Sequence, residues 1–167
     1  MLFRSLGVNV VVENRGGASG NIGTAQFVKL PADGYNLLFT AQSPITIAPS
    51  LYPKLSFDPG RDLLPLAITQ WTPLIVVSPK SLPADTLQEL VALSASQPGK
   101  LFYASPGTGN ELHLLGAWLR QELKADLTHV PYKGSGPALV DLVAGRTHLL
   151  VASPSSVRQY IADGRLK

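Results

Sequence analysis

From Ser81 onward the chain alternates between short apolar runs and stretches of helical periodicity, and few folds accept that pattern. It predicts helix 86–96, strand 101–104, helix 111–123, strand 127–130, helix 137–144, strand 148–151 and helix 155–162. Strands and helices taken in turn predict an α/β sheet with helices on its faces. The first half is built less regularly. Residues 8–13 hold Val8, Val10, Val11 and Val12, a nearly continuous β-branched run of the kind found in strands covered on both faces. A glycine-rich turn follows at 14–21. A helix is then predicted over 22–30, with Ile22, Ala25, Phe27, Val28 and Leu30 as its apolar positions and Pro31 as its stop. The turn at 32–34 leads into a second strand at 35–40, which completes a βαβ crossover. Pro44, Pro49 and Pro53 interrupt regular structure as far as residue 56, and strands at 63–69 and 74–78 flank Trp71, Thr72 and Pro73. These breaks divide the chain into an α/β lobe at 1–70 and a second, nearly complete one at 71–167.

With 167 residues and 45% apolar content, there is material for one good core or two small ones. The 15 glycines and 14 prolines are scattered, which favours many short elements joined by tight turns. A net charge of +3 on dispersed lysines and arginines provides no basic stripe for nucleic acid. The absence of cysteine excludes disulfides, thiolate catalysis and cysteine-ligated zinc, and leaves the compartment open. Residues 1–7 carry one positive charge and too short an apolar stretch for a signal peptide, and no segment approaches the roughly 18 apolar residues of a membrane span. The strand at 8–13 has nothing before it to pair with, so a truncated start is expected.

Three loops each join a strand to a helix. In the first, Gly17, Gly20 and Gly23 are spaced G-x-x-G-x-x-G around Ser19 and Asn21. Free backbone N–H groups there favour an anion, while the spacing matches neither the dinucleotide fingerprint nor the phosphate loop. The plainer reading is a glycine turn that lets strand and helix pack closely. The second loop runs from Ser105 through Thr108, Gly109 and Asn110 to His113, and there Thr108 or Asn110 could simply cap the following helix. The third holds Lys133, Gly134 and Ser135 ahead of Pro137, a residue suited to a helix's first turn. Gly134, Ser135 and Gly136 lack the spacing of a nucleophile elbow. His113, His129 and His148 show no metal-ligand spacing, and no acidic pair is placed for acid–base work. His113 either meets a ligand or is satisfied locally. Ligands of open α/β sheets sit beyond the carboxyl ends of strands, so paired loops of this kind predict a cleft that binds without catalysis and needs neither cofactor nor metal.

Read in order, these segments resemble the substrate-binding proteins of tripartite tricarboxylate transporters, the Bug-type periplasmic receptors. The resemblance is carried by 10–15 with 17–23, by 32–35, by 49–52 with 57–59, by 98–101, by 103–105 with Gly107, and above all by 130–139. It implies an α/β fold like the type II periplasmic binding proteins, with two lobes, each a mixed or parallel sheet flanked by helices, and with the first lobe truncated. It implies a periplasmic receptor, not an enzyme, that captures a small carboxylate (a di- or tricarboxylate, an amino acid or an aromatic acid) and delivers it to a membrane permease. The ligand-binding set so implied is Ser19, Gly20, Asn21, Ala41, Gln42, Ser43, Ser105, Thr108, Gly109, Asn110, His113, Lys133, Gly134 and Ser135. Family chains carry a further strand and glycine-rich loop before the position of Met1, and a strand beyond Lys167 that returns to the first lobe. Where many relatives have an aspartate after the strand near 151, this chain has Ala152, Ser153 and Pro154. The alternatives are an enzyme domain that holds a nucleotide or phosphorylated substrate on the loop at 16–23, and a fragment that binds nothing or associates through an exposed sheet edge.

Overall fold

The computed structural model describes residues 7–167. Residues 1–6, on which the reading of the N-terminus falls, lie outside the described residues. Among those described, one sheet of four strands forms: β1 (Ile75–Val77), β2 (Leu101–Ser105), β3 (Leu127–Pro131) and β4 (Leu149–Ala152), in the spatial order β1-β4-β2-β3. β2 runs parallel to both β3 and β4, and β1 is antiparallel to β4. Helices α4 (Leu87–Ser96), α5 (Glu111–Glu122), α6 (Ser135–Val143) and α7 (Pro154–Ala162) connect or follow these strands.

The period of two along each strand builds two cores on opposite faces of the sheet. Leu101, Tyr103, Leu127 and Leu149 pack with Leu82, Ala84, Leu90 and Ala125. Their neighbours Ala104, Leu150 and Ala152 pack with Val77, Ala138, Leu142, Val157 and Leu166. All four residues of β4 are buried, as a central strand covered on both faces requires. Thr86 caps α4 through a reciprocal capping box with Glu89. Gly116 lets α5 approach β2, because a Cβ there would stand 2.6 Å from the Tyr103 ring.

The N-terminal part departs from expectation. It contains α1 (Asn21–Phe27), a π-helical turn (Ser43–Ile47), α2 (Ala48–Leu51) and α3 (Pro59–Asp62). The segments 8–13, 35–40 and 63–69 form no strand, so the predicted βαβ crossover and first-lobe sheet are absent among the described residues. A strand takes its hydrogen bonds from a neighbour, and none of these segments has one here. Their apolar side chains are exposed instead: Tyr35 at 92%, Phe39 at 81% and Leu64 at 84%. What remains folded is anchored locally, with the Arg15 guanidinium donating to Gln26 at 2.6 Å and Gly23 lying against the Arg15 carbonyl.

Candidate functional site

Four loops meet at the carboxyl ends of β2 and β3, at 17–21, 41–44, 105–111 and 132–134. The loop at 17–20 has an unusual backbone: Ala18 and Ser19 hold left-handed conformations at φ 46° and 56°, between Gly17 at 116° and Gly20 at 92°. Left-handed conformations at two consecutive non-glycine residues are costly and persist only where the surrounding structure holds them. The Ser19 hydroxyl donates to the Thr108 carbonyl at 2.9 Å, and the Tyr52 hydroxyl donates to the same oxygen at 3.1 Å. These two contacts, from residues 89 and 56 positions away, tie the N-terminal part to the sheet-bearing part. Gly109 is required at φ 82°, since a Cβ would meet the Tyr52 hydroxyl at 2.6 Å.

The loop at 41–44 also reaches this junction. The Gln42 carbonyl accepts from the backbone N–H groups of Ile45 and Thr46, both at 2.9 Å, and thereby starts the π-helical turn. Ser43 is buried there and donates to the Glu111 carboxylate at the start of α5. A Cβ on Gly20 would lie 2.9 Å from the Pro44 ring, so the glycine loop and the Ser43 turn are in direct contact. Asn21 follows at the start of α1, buried, with its amide oxygen unpartnered.

Beneath these loops sits a layer of neutral polar groups. Ser105 is fully buried, and its hydroxyl lies 2.7 Å from His129 Nε2 and 3.1 Å from the Gly107 carbonyl. The His129 ring is stacked on Tyr103, with centroids 4.7 Å apart, and faces His113 at 4.1 Å. Burial, and then the neighbouring His113, pull the His129 pKa down to about 4; burial also lowers that of His113. Both rings are therefore neutral at physiological pH. The Gly109 N–H donates to His113 Nδ1 at 3.2 Å, so this histidine is satisfied locally. The loop at 132–134 closes the ring: the Tyr132 N–H donates to the Ser105 carbonyl at 2.9 Å, and the Gly134 N–H to the Pro106 carbonyl at 2.8 Å. The Tyr132 hydroxyl donates to Asp141 at 2.7 Å. Burial, reinforced by that carboxylate, pushes its pKa up to about 12.

Of the residues singled out in the sequence, Ser19, Gly20, Asn21, Ser43, Ser105, Thr108, Gly109, Asn110, His113 and Gly134 gather at this junction. At Asn110 the plainer of the two sequence readings, a helix cap, is the one the structure shows. Thr108 contributes its carbonyl, and Asn110 is buried as the cap of α5, accepting from the His113 N–H at 2.8 Å. Ala41, Gln42, Lys133 and Ser135 are exposed around it. Sequence reasoning missed Glu111, Tyr52 and His129. Tyr52 and Glu111 stood inside segments already marked, whereas His129 had no signal, because only the β2–β3 register sets it against Tyr103. No group of three or more metal-binding side chains occurs among the described residues. Two surface hollows lie elsewhere, one of about 520 Å³ beside Arg120 and Lys124 and one of about 180 Å³ beside Pro79 and His148.

A model of the tripartite tricarboxylate transporter family receptor matches residues 2–167. The chain belongs to this receptor family. Among curated relatives, the protein BugT of Bordetella pertussis is 37% identical over 164 residues, covering 98% of this chain and 50% of its own length. A protein from the tcbD–tcbE intergenic region of Pseudomonas sp. strain P51 is 36% identical, covering 99% and 49%. The chain thus spans about half the length of the curated relatives it matches. Among solved structures, an R. palustris protein with adipate superposes with a TM-score of 0.93 at 30% identity, covering 99% of this chain and 56% of that one. The Rhodopseudomonas palustris protein MatC with bound malate gives 0.89 at 28% identity, with the same coverages. The periplasmic binding protein BugD gives 0.86 at 31% identity. The α/β receptor fold read from the sequence is therefore correct, and the described sheet is built from residues 75–152. No described helix is long and apolar enough to cross a membrane.

Proposed function

We propose that this chain is part of a periplasmic solute receptor that holds a small carboxylate between two lobes, divided near residue 70, and passes it unchanged to the permease of a tripartite tricarboxylate transporter. The observation that carries this reading is the meeting of the loops at 17–21, 41–44, 105–111 and 132–134 at one end of the sheet, with the N-terminal part bonded to the Thr108 carbonyl by two hydroxyls. The start of α6 supports it further, since Gly134 offers no side-chain cap and leaves first-turn N–H groups for an anion. Adipate and malate in the similar structures have the matching chemistry. Ser105 and His129 form no nucleophile–base pair in this reading: the hydroxyl is fully buried, and it is shared with the Gly107 backbone.

The test is a melting-temperature screen of this chain against dicarboxylates, tricarboxylates, amino acids and aromatic acids, with nucleotides as the opposing set. A ligand at a hundred times its Kd stabilises the folded state by roughly 2.7 kcal/mol, a shift of several degrees for a chain of this size. At least one carboxylate is expected to give it. Stabilisation by nucleotides and by no carboxylate would establish instead an enzyme-like phosphate site on the loop at 16–23.

A further inference from the structure

We infer that Tyr52 is a positioning residue: through contacts made wholly within the chain it latches the N-terminal part onto the sheet-bearing part, and so sets how tightly the junction holds any carboxylate. The latch itself stands on geometry, and its effect on affinity rests on the receptor reading. Residues 43–52 form a short arm built from the π-helical turn and α2, with Pro44 fully buried and Ala48 1% exposed. The Tyr52 N–H donates to the Ala48 carbonyl at 2.9 Å, which fixes the end of the arm. Both ends of the arm reach the start of α5: the Ser43 hydroxyl donates to the Glu111 carboxylate, and the Tyr52 hydroxyl donates to the Thr108 carbonyl at 3.1 Å.

Between Thr108 and Glu111 lies a notch that only glycine permits. A Cβ on Gly109 would stand 2.6 Å from the Tyr52 hydroxyl oxygen and 2.7 Å from Leu51 Cδ2, so both side chains seat directly on the Gly109 backbone. That backbone is left-handed at φ 82°, a conformation any other side chain would strain. From the glycine loop, Ser19 supplies a second donor to the Thr108 carbonyl at 2.9 Å. One acceptor thus joins two N-terminal segments to the loop ahead of α5. A receptor whose binding-competent arrangement is populated only in part loses apparent affinity by that fraction, whatever ligand it holds. Contacts that favour the joined arrangement therefore raise affinity for all carboxylates alike, whereas a side chain that touches the ligand changes the ratio between them.

Distance measurement between paired spin labels tests the latch. The chain has no cysteine, so Lys29→Cys combined with Glu122→Cys places one label at an exposed position of each part. Without added ligand, one narrow distance distribution is expected. Y52F removes a single hydroxyl and keeps the ring, and it should broaden the distribution; G109A, which drives the Tyr52 ring off its seat, should broaden it more. Calorimetric titration with malate, adipate and the best acid of the melting-temperature screen then reads the consequence. Y52F should weaken every acid that binds by the same factor, about threefold to tenfold for the loss of one hydrogen bond, and leave their ratios unchanged. Distances unaltered in both variants, affinities unaltered in Y52F, or an effect confined to one acid each overturn the inference and leave the receptor reading standing. Binding of no carboxylate by the folded chain overturns the receptor reading and with it the effect on affinity, and the distances then decide the latch itself. Should G109A fail to fold, Y52F and S19A, which each take one donor from the same carbonyl, decide.

Discussion

His129 shows how a single side chain takes its properties from neighbours that the sequence does not announce. Its position beside β2 follows from parallel register, which sets it opposite Tyr103, and Ser105 and His113 reach it from the adjoining loop and helix. Because its native pKa is lowered from 6.5 to about 4, the unfolded chain binds more protons across that interval. Stability is thus fully present above pH 6.5 and is lost as the pH falls toward 4. His113 and His148, also lowered by burial, add to the slope in the same direction. Thermal unfolding at half-unit steps between pH 7 and pH 4 should show a falling melting temperature, with a shallower fall in His129→Gln. An equal slope in that variant would mean that His129 does not carry the effect. Glu111 belongs at the same scale. It stood in a marked segment, yet only its contact with Ser43, 68 positions away in the chain, shows that it belongs to the junction.

At the scale of elements, local pattern was a good guide wherever packing agreed with it. Every helix and strand read after residue 74 is present, with ends displaced by at most two residues, as in α6, which starts at Ser135. The caps explain this accuracy, since Thr86 and Asn110 both stop the preceding chain and bond the first turn that follows. What pattern could not show is how closely the elements approach. Gly116 in the middle of α5 costs helix propensity of about 1 kcal/mol and is retained because Tyr103 fills the space a methyl would need. Gly116→Ala should therefore destabilise the chain by about 1–3 kcal/mol in urea unfolding, despite the better helix former. A stabilised variant would show that the Tyr103 ring can move aside. The loss should appear as well in near-ultraviolet circular dichroism, because Tyr103 is the ring displaced.

The whole molecule is uneven. Its sheet-bearing part has a core on each face, whereas the N-terminal part presents unpaired apolar segments and is held to the rest by Ser19, Tyr52 and Ser43. Local stability should follow this division. Amide hydrogen exchange is expected to be slowest in β2 and β4 and faster by orders of magnitude at 35–40 and 63–69. Comparable protection in the two sets would show that these segments find strand partners in solution. The alternation of alanine, leucine, isoleucine and valine with polar residues was enough to fix which stretches could be strands or helices, and loop order was enough to reveal the family, because both are written locally along the chain. Which strands pair, whether 8–13 and 35–40 have neighbours, and which polar groups from distant loops share one junction were decided by tertiary structure alone. The reason is physical: a strand's hydrogen bonds and a buried side chain's partners are supplied by other parts of the chain, and no local pattern specifies them.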